Sequence, residues 1–183
     1  MKLYVIRHGK TPSSWDTLQY PELLKLVKLE NDPEPDMKFL EENLDRQKAL
    51  ELSPKIIYAS PLKRAAVTAE YISGITGSEV IKIDGLEEIS FDAIPKSVYD
   101  RGSESIREYL VMESIKRRRS LDMGLFEEGS MLLTHGFFMR HIYAQVFGEN
   151  IASLTKSDLF TNYLSGFDTK RGERLSLLKA VKV

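Results

Sequence analysis

Apolar residues fall along this chain in short blocks divided by polar breaks. Leu3 to Ile6 is rich in β-branched and aromatic residues and predicts a buried strand. The run stops at Arg7-His8-Gly9, where glycine permits a sharp turn. Pro21 to Glu30 predicts a short helix with Leu23, Leu24, Leu26 and Val27 as its apolar positions. Asn31-Asp32-Pro33-Glu34-Pro35 is the clearest breaker in the chain. Met37 to Leu52 predicts a charged amphipathic helix, and Ile56 to Ala59 a second buried strand. Ser60-Pro61 then reads as an N-cap followed by proline at the first helical position. The helix it opens carries Leu62, Ala65, Ala66, Ala69 and Ile72 at helical spacing and stops at Gly77.

Val80 to Ile83 predicts a third strand, followed by an irregular polar stretch from Asp84 to about Gly102. Ser105 with Glu108 three residues on predicts a capping box, and a helix to about Arg119. Met131 to Leu133 predicts a fourth strand ending at Thr134-His135-Gly136. Phe137 to Phe147 predicts a helix stopped by Gly148, and Leu175 to Val181 a last strand at a sheet edge. Strands alternating with helices imply an α/β layered fold with a largely parallel sheet. No repeat, low-complexity segment or linker divides the chain, so a single domain over residues 1–183 is expected.

Composition narrows the function classes. Hydrophobic residues make up 42% and charged residues 29%, the ordinary range for a folded globular protein. Lys plus Arg number 26 against 27 Asp plus Glu, which argues against a protein built to coat nucleic acid or an acidic membrane. Cysteine is absent, which excludes disulfides, Cys-ligated metals and a Cys nucleophile. The first apolar run is too short for a signal peptide or a membrane span, so a cytoplasmic location is expected.

Three predicted strand ends carry polar residues: Arg7-His8, then Ser60 with Arg64, then His135. In open α/β sheets the C-terminal strand ends form the crevice where ligands bind. Two arginines and two histidines gathered there make a concentrated positive pocket, and phosphate is its natural guest. Taken alone, either histidine is more often a satisfied structural residue than a catalyst. The joint pattern is what matters, since two of the three histidines follow apolar strands and precede glycine.

Val5-Ile6-Arg7-His8-Gly9-Lys10-Thr11 resembles the signature of the histidine phosphatase superfamily, the group that includes phosphoglycerate mutases. Ser60 to Ala69, with Arg64 inside it, resembles the second motif of that family. Leu86-Glu87-Glu88 resembles its Leu-x-Glu segment, and Thr134-His135-Gly136 with Arg140 its last motif. Lys10 stands where members commonly have Glu or Gln, and Ser14 where Asn is frequent. The resemblance implies a three-layer, phosphoglycerate mutase-like fold with a largely parallel sheet. It implies a phosphatase that works through a phosphohistidine on a small phosphorylated metabolite, with no metal and no cofactor. His8 would be the nucleophile and Glu88 the general acid, with Glu87 its rival. Arg7, Arg64 and His135 would hold the phosphoryl oxygens, with Thr11 and Gly136 as further phosphate contacts.

Alternatives from other classes remain at this point: phosphoglycerate mutase, and a non-catalytic module that binds a phosphorylated ligand. Ser60 divides between cap and phosphate contact, and Arg140 between ion pair and substrate rim. Trp15 and Tyr20 are candidates for the entrance wall, although aromatics are more often simply packed. The basic run Lys116-Arg117-Arg118-Arg119 reads first as a solvated helix end, since helix C-termini favour cations.

Overall fold

The computed structural model describes residues 1–13, 17–154 and 162–179. Within them the chain forms a six-stranded sheet in the order β3-β2-β4-β1-β5-β6. The strands are β1 (Tyr4–Arg7), β2 (Ile56–Ala59), β3 (Glu79–Lys82), β4 (Met131–Thr134), β5 (Ser165–Asp168) and β6 (Arg174–Ser176). The first four run parallel. The pair β5 and β6 closes the sheet antiparallel against β1. The helices are α1 (Tyr20–Val27), α2 (Met37–Asn43), α3 (Arg46–Leu52), α4 (Lys63–Thr76), α5 (Lys96–Tyr99), α6 (Ser103–Lys116) and α7 (Gly136–Phe147).

Alternation along the central strands splits the core into two layers, because successive side chains of a strand point to opposite faces. Val5, Tyr58 and Leu132 face a cluster built with Phe138, Met139 and Ile142 of α7. Ile6, Ile57, Ala59 and Leu133 face the other layer, with Leu40, Ala69 and Ile72 from α2 and α4. A third cluster joins Leu23 and Val27 of α1 to Ile106 and Leu110 of α6, through Ile89, Phe91 and Phe137. The expected three-layer α/β fold is therefore present, and its third cluster becomes a wall of the site.

Several expected boundaries move, each for a local reason. The helix expected from Met37 to Leu52 is two helices. Leu44 turns extended and bridges to Leu178, and the Asp45 side chain then caps α3 by accepting from the Lys48 amide at 3.2 Å. Ser60 does not cap α4. Leu62 holds the cap position with no side-chain bond of its own, and the helix begins at Lys63. Ser105 is not a cap either, because α6 opens from Gly102, three residues earlier, whose φ of 94° suits glycine. The same helix ends at Lys116, short of Arg119. Strand β5 was not anticipated, and the last strand is Arg174–Ser176 at the sheet edge; residues 180 and 181 of the expected strand lie outside the described residues. Gly77 and Gly148 stop their helices as expected, in the left-handed conformation.

Candidate active site

The parallel strands deliver the site. Arg7 pairs with Thr134 across β1 and β4, and Ala59 with Leu133 across β2 and β4. Ladder bonds continue one residue further, from His8 N–H to Thr134 O and from Ser60 N–H to Leu133 O, both 3.0 Å. His8, Ser60 and His135 thus emerge side by side from three adjacent C-terminal strand ends. A cavity of about 420 Å³ opens over them. Arg7, His8, Arg64, Glu88, Gly136 and Arg140 line it, as do Thr11 and Tyr163. Val27, Leu29, Ile89, Phe91 and Phe137 supply an apolar wall, with Ser103, Glu104 and Arg107 also facing in.

His8 is held in one tautomer. Its Nδ1–H donates to the Gly9 carbonyl at 2.7 Å, which leaves the lone pair on Nε2. Burial pushes its pKa well below the usual histidine range, and the Arg64 and Arg7 charges push the same way; the Gly9 carbonyl opposes them more weakly. The ring is therefore neutral at physiological pH. A Cβ on Gly9 would stand 2.6 Å from Leu40 Cδ2, so a side chain there would require Leu40 to shift. The close approach is to the core rather than to a ligand, and Thr68 Oγ1 accepts from the Gly9 amide at 3.0 Å.

His135 lies beside His8, with ring centroids 4.9 Å apart, but it is fully buried and does not line the cavity. Its Nδ1 accepts from Arg64 Nε at 3.2 Å. A guanidinium only donates, so Nδ1 is the bare nitrogen and Nε2–H donates to Ser60 Oγ at 2.8 Å. Burial, then Arg64, His8, Arg7 and Arg119, push the His135 pKa well below its usual value. Both ring nitrogens are thus committed to Arg64 and Ser60. Ser60 Oγ thus accepts from His135, and it also accepts from the Leu62 amide at 3.3 Å.

Arg64 is clamped on two sides. Besides the His135 contact, Nη1 donates to Asp32 Oδ1 at 3.0 Å. Arg7 lies across the Tyr163 ring, 4.4 Å from its centroid. Arg140 Nη1 donates to the Gly136 carbonyl at 2.9 Å, and burial pulls its pKa down to about 10, with Glu88 acting in the opposite sense. Arg140 is buried and lies on the cavity lining.

Glu88, and not Glu87, lines the cavity. Its Oε1 accepts from the Ile89 and Phe138 amides at 2.9 and 3.0 Å, and Oε2 from the Phe137 amide at 3.2 Å. The carboxylate thus sits on the N-terminus of α7, where the helix dipole favours negative charge. Thr11 lines the cavity, with its hydroxyl proton given to the Ser13 carbonyl. Tyr20 is packed rather than at the entrance, its hydroxyl bonded to the Ile94 carbonyl and its ring against Tyr99. Ser14 and Trp15 lie outside the described residues. Among the described residues, no group of three or more His, Asp or Glu side chains is arranged to hold a metal ion.

Four contributors had no signal of their own in the sequence. Asp32 is one residue of the breaker segment, and Tyr163 precedes a strand the pattern hides. Arg107 is one charge among many on α6. Arg119, at the end of the basic run, turns inward and donates to the carbonyls of Glu87, Glu88 and Gly85 at 2.9, 3.4 and 3.2 Å.

Comparison with known proteins bears on the family and the fold. A family model described as the histidine phosphatase superfamily, branch 1, matches residues 3–124, a span holding Arg7, His8, Arg64 and Glu88 but ending before His135. No curated protein matches the sequence. A phosphoserine phosphatase of Entamoeba histolytica, solved with 3-phosphoglyceric acid, is 20% identical with a TM-score of 0.54, covering 98% of this chain and 95% of that one. A mutant of that phosphatase, solved with phosphoserine, is 18% identical with a TM-score of 0.50 and the same coverage. At such identities the likeness is one of fold, and membership follows from the family match over most of the sequence. The chain belongs to the histidine phosphatase superfamily.

Proposed function

We propose that the protein is a metal-independent phosphomonoesterase that acts on a small phosphorylated metabolite through a phosphohistidine on His8. The observation that carries this reading is the neutral His8 ring, with Nδ1–H spent on Gly9 and the Nε2 lone pair left in a cavity lined by the Arg7 and Arg64 guanidinium groups. That combination suits a nucleophile facing a phosphoryl group. The ligands held by the two similar structures, phosphoserine and 3-phosphoglyceric acid, support the substrate class.

In the first step the Nε2 lone pair forms a bond to phosphorus while the ester P–O bond breaks. Arg7 and Arg64 neutralise the phosphoryl oxygens as charge spreads over them in the transition state. The positive charge that other phosphatases draw from metal ions comes here from these groups. Glu88 gives a proton to the departing alkoxide. Its Oε2 accepts from a single amide, against two on Oε1, and is the oxygen assigned that proton. In the second step the same carboxylate takes a proton from water, whose oxygen attacks phosphorus, and the P–N bond breaks to restore His8. His135 acts through Arg64, holding its Nε while the fork faces the cavity. Cytoplasmic location belongs to the same proposal; no described helix is long and apolar enough to cross a membrane.

The test is release of inorganic phosphate from para-nitrophenyl phosphate with EDTA present, for wild type and His8→Ala. The expected result is turnover that falls by at least ~10³-fold in the variant, the scale of losing a covalent nucleophile. Turnover that survives in His8→Ala sinks the proposed role of His8. Conversion of 3-phosphoglycerate to 2-phosphoglycerate without phosphate release would replace the hydrolase with a mutase.

A further inference from the structure

We infer that Asp32 is a positioning residue for the phosphoryl-transfer step, fixing the Arg64 fork toward the cavity from a loop outside the family's motifs. The inference rests on the phosphatase reading above. Asp32 lies between α1 and α2, and its neighbours Leu29 and Pro33 line the cavity while it does not. Its two carboxylate oxygens do two jobs. Oδ1 accepts from Arg64 Nη1 at 3.0 Å, and Oδ2 accepts from the Lys63 amide at 2.5 Å.

The second contact explains the start of α4. Leu62 occupies the cap position and has no side-chain oxygen to offer the first helical amides. Asp32, 31 residues upstream of Lys63, supplies that acceptor instead. The same helix carries Arg64 in its first turn. One carboxylate therefore fixes both the helix end and the guanidinium that the helix presents.

The first contact fixes the fork. A guanidinium has five N–H donors in one plane. His135 takes the Nε donor and Asp32 takes one Nη1 donor, from different sides. Two anchors in the plane remove rotation about the last side-chain bonds. What is left, the Nη2 protons and the other Nη1 proton, is preset for phosphoryl oxygens. A single anchor would leave the fork to be ordered at each turnover. Preset donors matter more in the transition state than in the bound substrate, because catalysis comes from differential binding.

No neutral side chain of this length can replace the carboxylate. Two donors, the Lys63 amide and Arg64 Nη1, need two acceptor oxygens, and asparagine has one. Asp32→Asn thus gives up one of the two contacts along with the charge. Removing that charge also makes Arg64 more attractive to any anion, so ground-state phosphate binding receives two opposed changes. The loss should show mainly in kcat.

The experiment compares wild type, Asp32→Asn and Asp32→Ala, with Leu62→Ser added to the alanine variant. Serine at position 62 gives α4 a side-chain cap of its own. Three readings are taken: kcat and KM with para-nitrophenyl phosphate, titration calorimetry with inorganic phosphate and with orthovanadate, and Tm. Orthovanadate adopts the five-coordinate geometry of the transition state. Asp32→Ala is expected to lower Tm by about 2–4 °C, as for the loss of one cap in a protein of this size. It is also expected to lower kcat at least ~10-fold, with KM within about 3-fold, and to weaken orthovanadate more than phosphate. Leu62→Ser is expected to restore Tm and to leave kcat low. Recovery of kcat together with Tm would overturn the inference, since Asp32 would then be only a cap. So would wild-type kcat and orthovanadate affinity in both Asp32 variants. If wild type binds orthovanadate in an Asp32-dependent way and turns nothing over, the phosphatase reading fails and the hold on Arg64 stands.

Discussion

At the scale of single residues, the site is governed by where each proton is held. His8 and His135 are both neutral, for different ends: one is left with a bare nitrogen beside the cavity, the other uses its bare nitrogen to orient Arg64. Both pKa values lie well below the ordinary 6.5. The acid limb of kcat/KM that reports His8 is therefore expected well below pH 6.5, and a pH–rate profile checks it. The same shifts set a stability slope. Between the depressed folded values and about 6.5 the unfolded chain binds more protons, so stability rises with pH there and is lost as pH falls through that window. His135→Asn, which cannot titrate, is expected to flatten the fall in Tm between about pH 6.5 and 5. Glu88→Gln is expected to lower kcat/KM, which reports the ester-cleaving step and not the later attack of water, by about 10²-fold on an alkyl phosphate, the scale of general-acid catalysis. The loss on para-nitrophenyl phosphate should be far smaller, because that leaving group departs without a proton. Equal losses on both substrates would remove Glu88 from the acid role. That Arg7, His8 and Arg64 gather at one cavity was legible from the polar ends of the predicted strands, and Glu88 from the resemblance of Leu86-Glu87-Glu88 to the family's Leu-x-Glu segment. The role of His135 was not, since which nitrogen faces which neighbour depends on Arg64 and Ser60 arriving from another strand.

At the scale of elements, strand β5 carries the plainest lesson. Ser165-Gly166-Phe167-Asp168 has no apolar alternation and holds a glycine, so nothing in the pattern predicts a strand there. The structure shows why the glycine is there: a Cβ on Gly166 would stand 1.7 Å from the Val5 carbonyl oxygen. Only a bare Cα allows β5 to approach β1 that closely. Gly166→Ala is expected to destabilise the protein by about 3 kcal/mol or more, within the range for a clash that moves backbone, and urea unfolding checks it. The strand matters to the site, because the Leu164 amide bonds the Arg7 carbonyl at 3.1 Å, just after the Tyr163 ring that packs on the Arg7 guanidinium. The end of α6 shows the converse error. Its basic run reads as solvent-facing, yet only part of it is: Lys116 pairs with Glu113 and Arg117 with Asp92, while Arg119 clamps the loop that carries Glu88. Arg119→Ala is expected to cut kcat about 10-fold with little change in KM, because the loss falls on the placement of the acid rather than on phosphate binding. A rise in KM with kcat intact would contradict that assignment.

At the scale of the whole molecule, the sheet converts sequence distance into adjacency. Residues 7, 60, 88 and 135 meet because three parallel strands end at one edge and a loop folds back over them. Strand blocks and their polar ends made this architecture legible, since buried parallel strands leave continuous apolar runs. The loop from α1 to α2 stayed illegible, since the partners of Asp32 lie 31 and 32 residues away and leave no periodic trace. A ligand that unites these parts should stabilise them together. Inorganic phosphate at about 100 times its Kd is expected to add about 2.7 kcal/mol to unfolding, and Arg64→Ala to abolish most of that gain. The most direct test of the central claim is rapid acid-free quenching of wild type during turnover, followed by peptide mass spectrometry. The account predicts a phosphoryl group on His8, labile in acid and stable in base, and absent from His8→Ala. Turnover without any phosphoenzyme, or with the phosphoryl group on another residue, would contradict it.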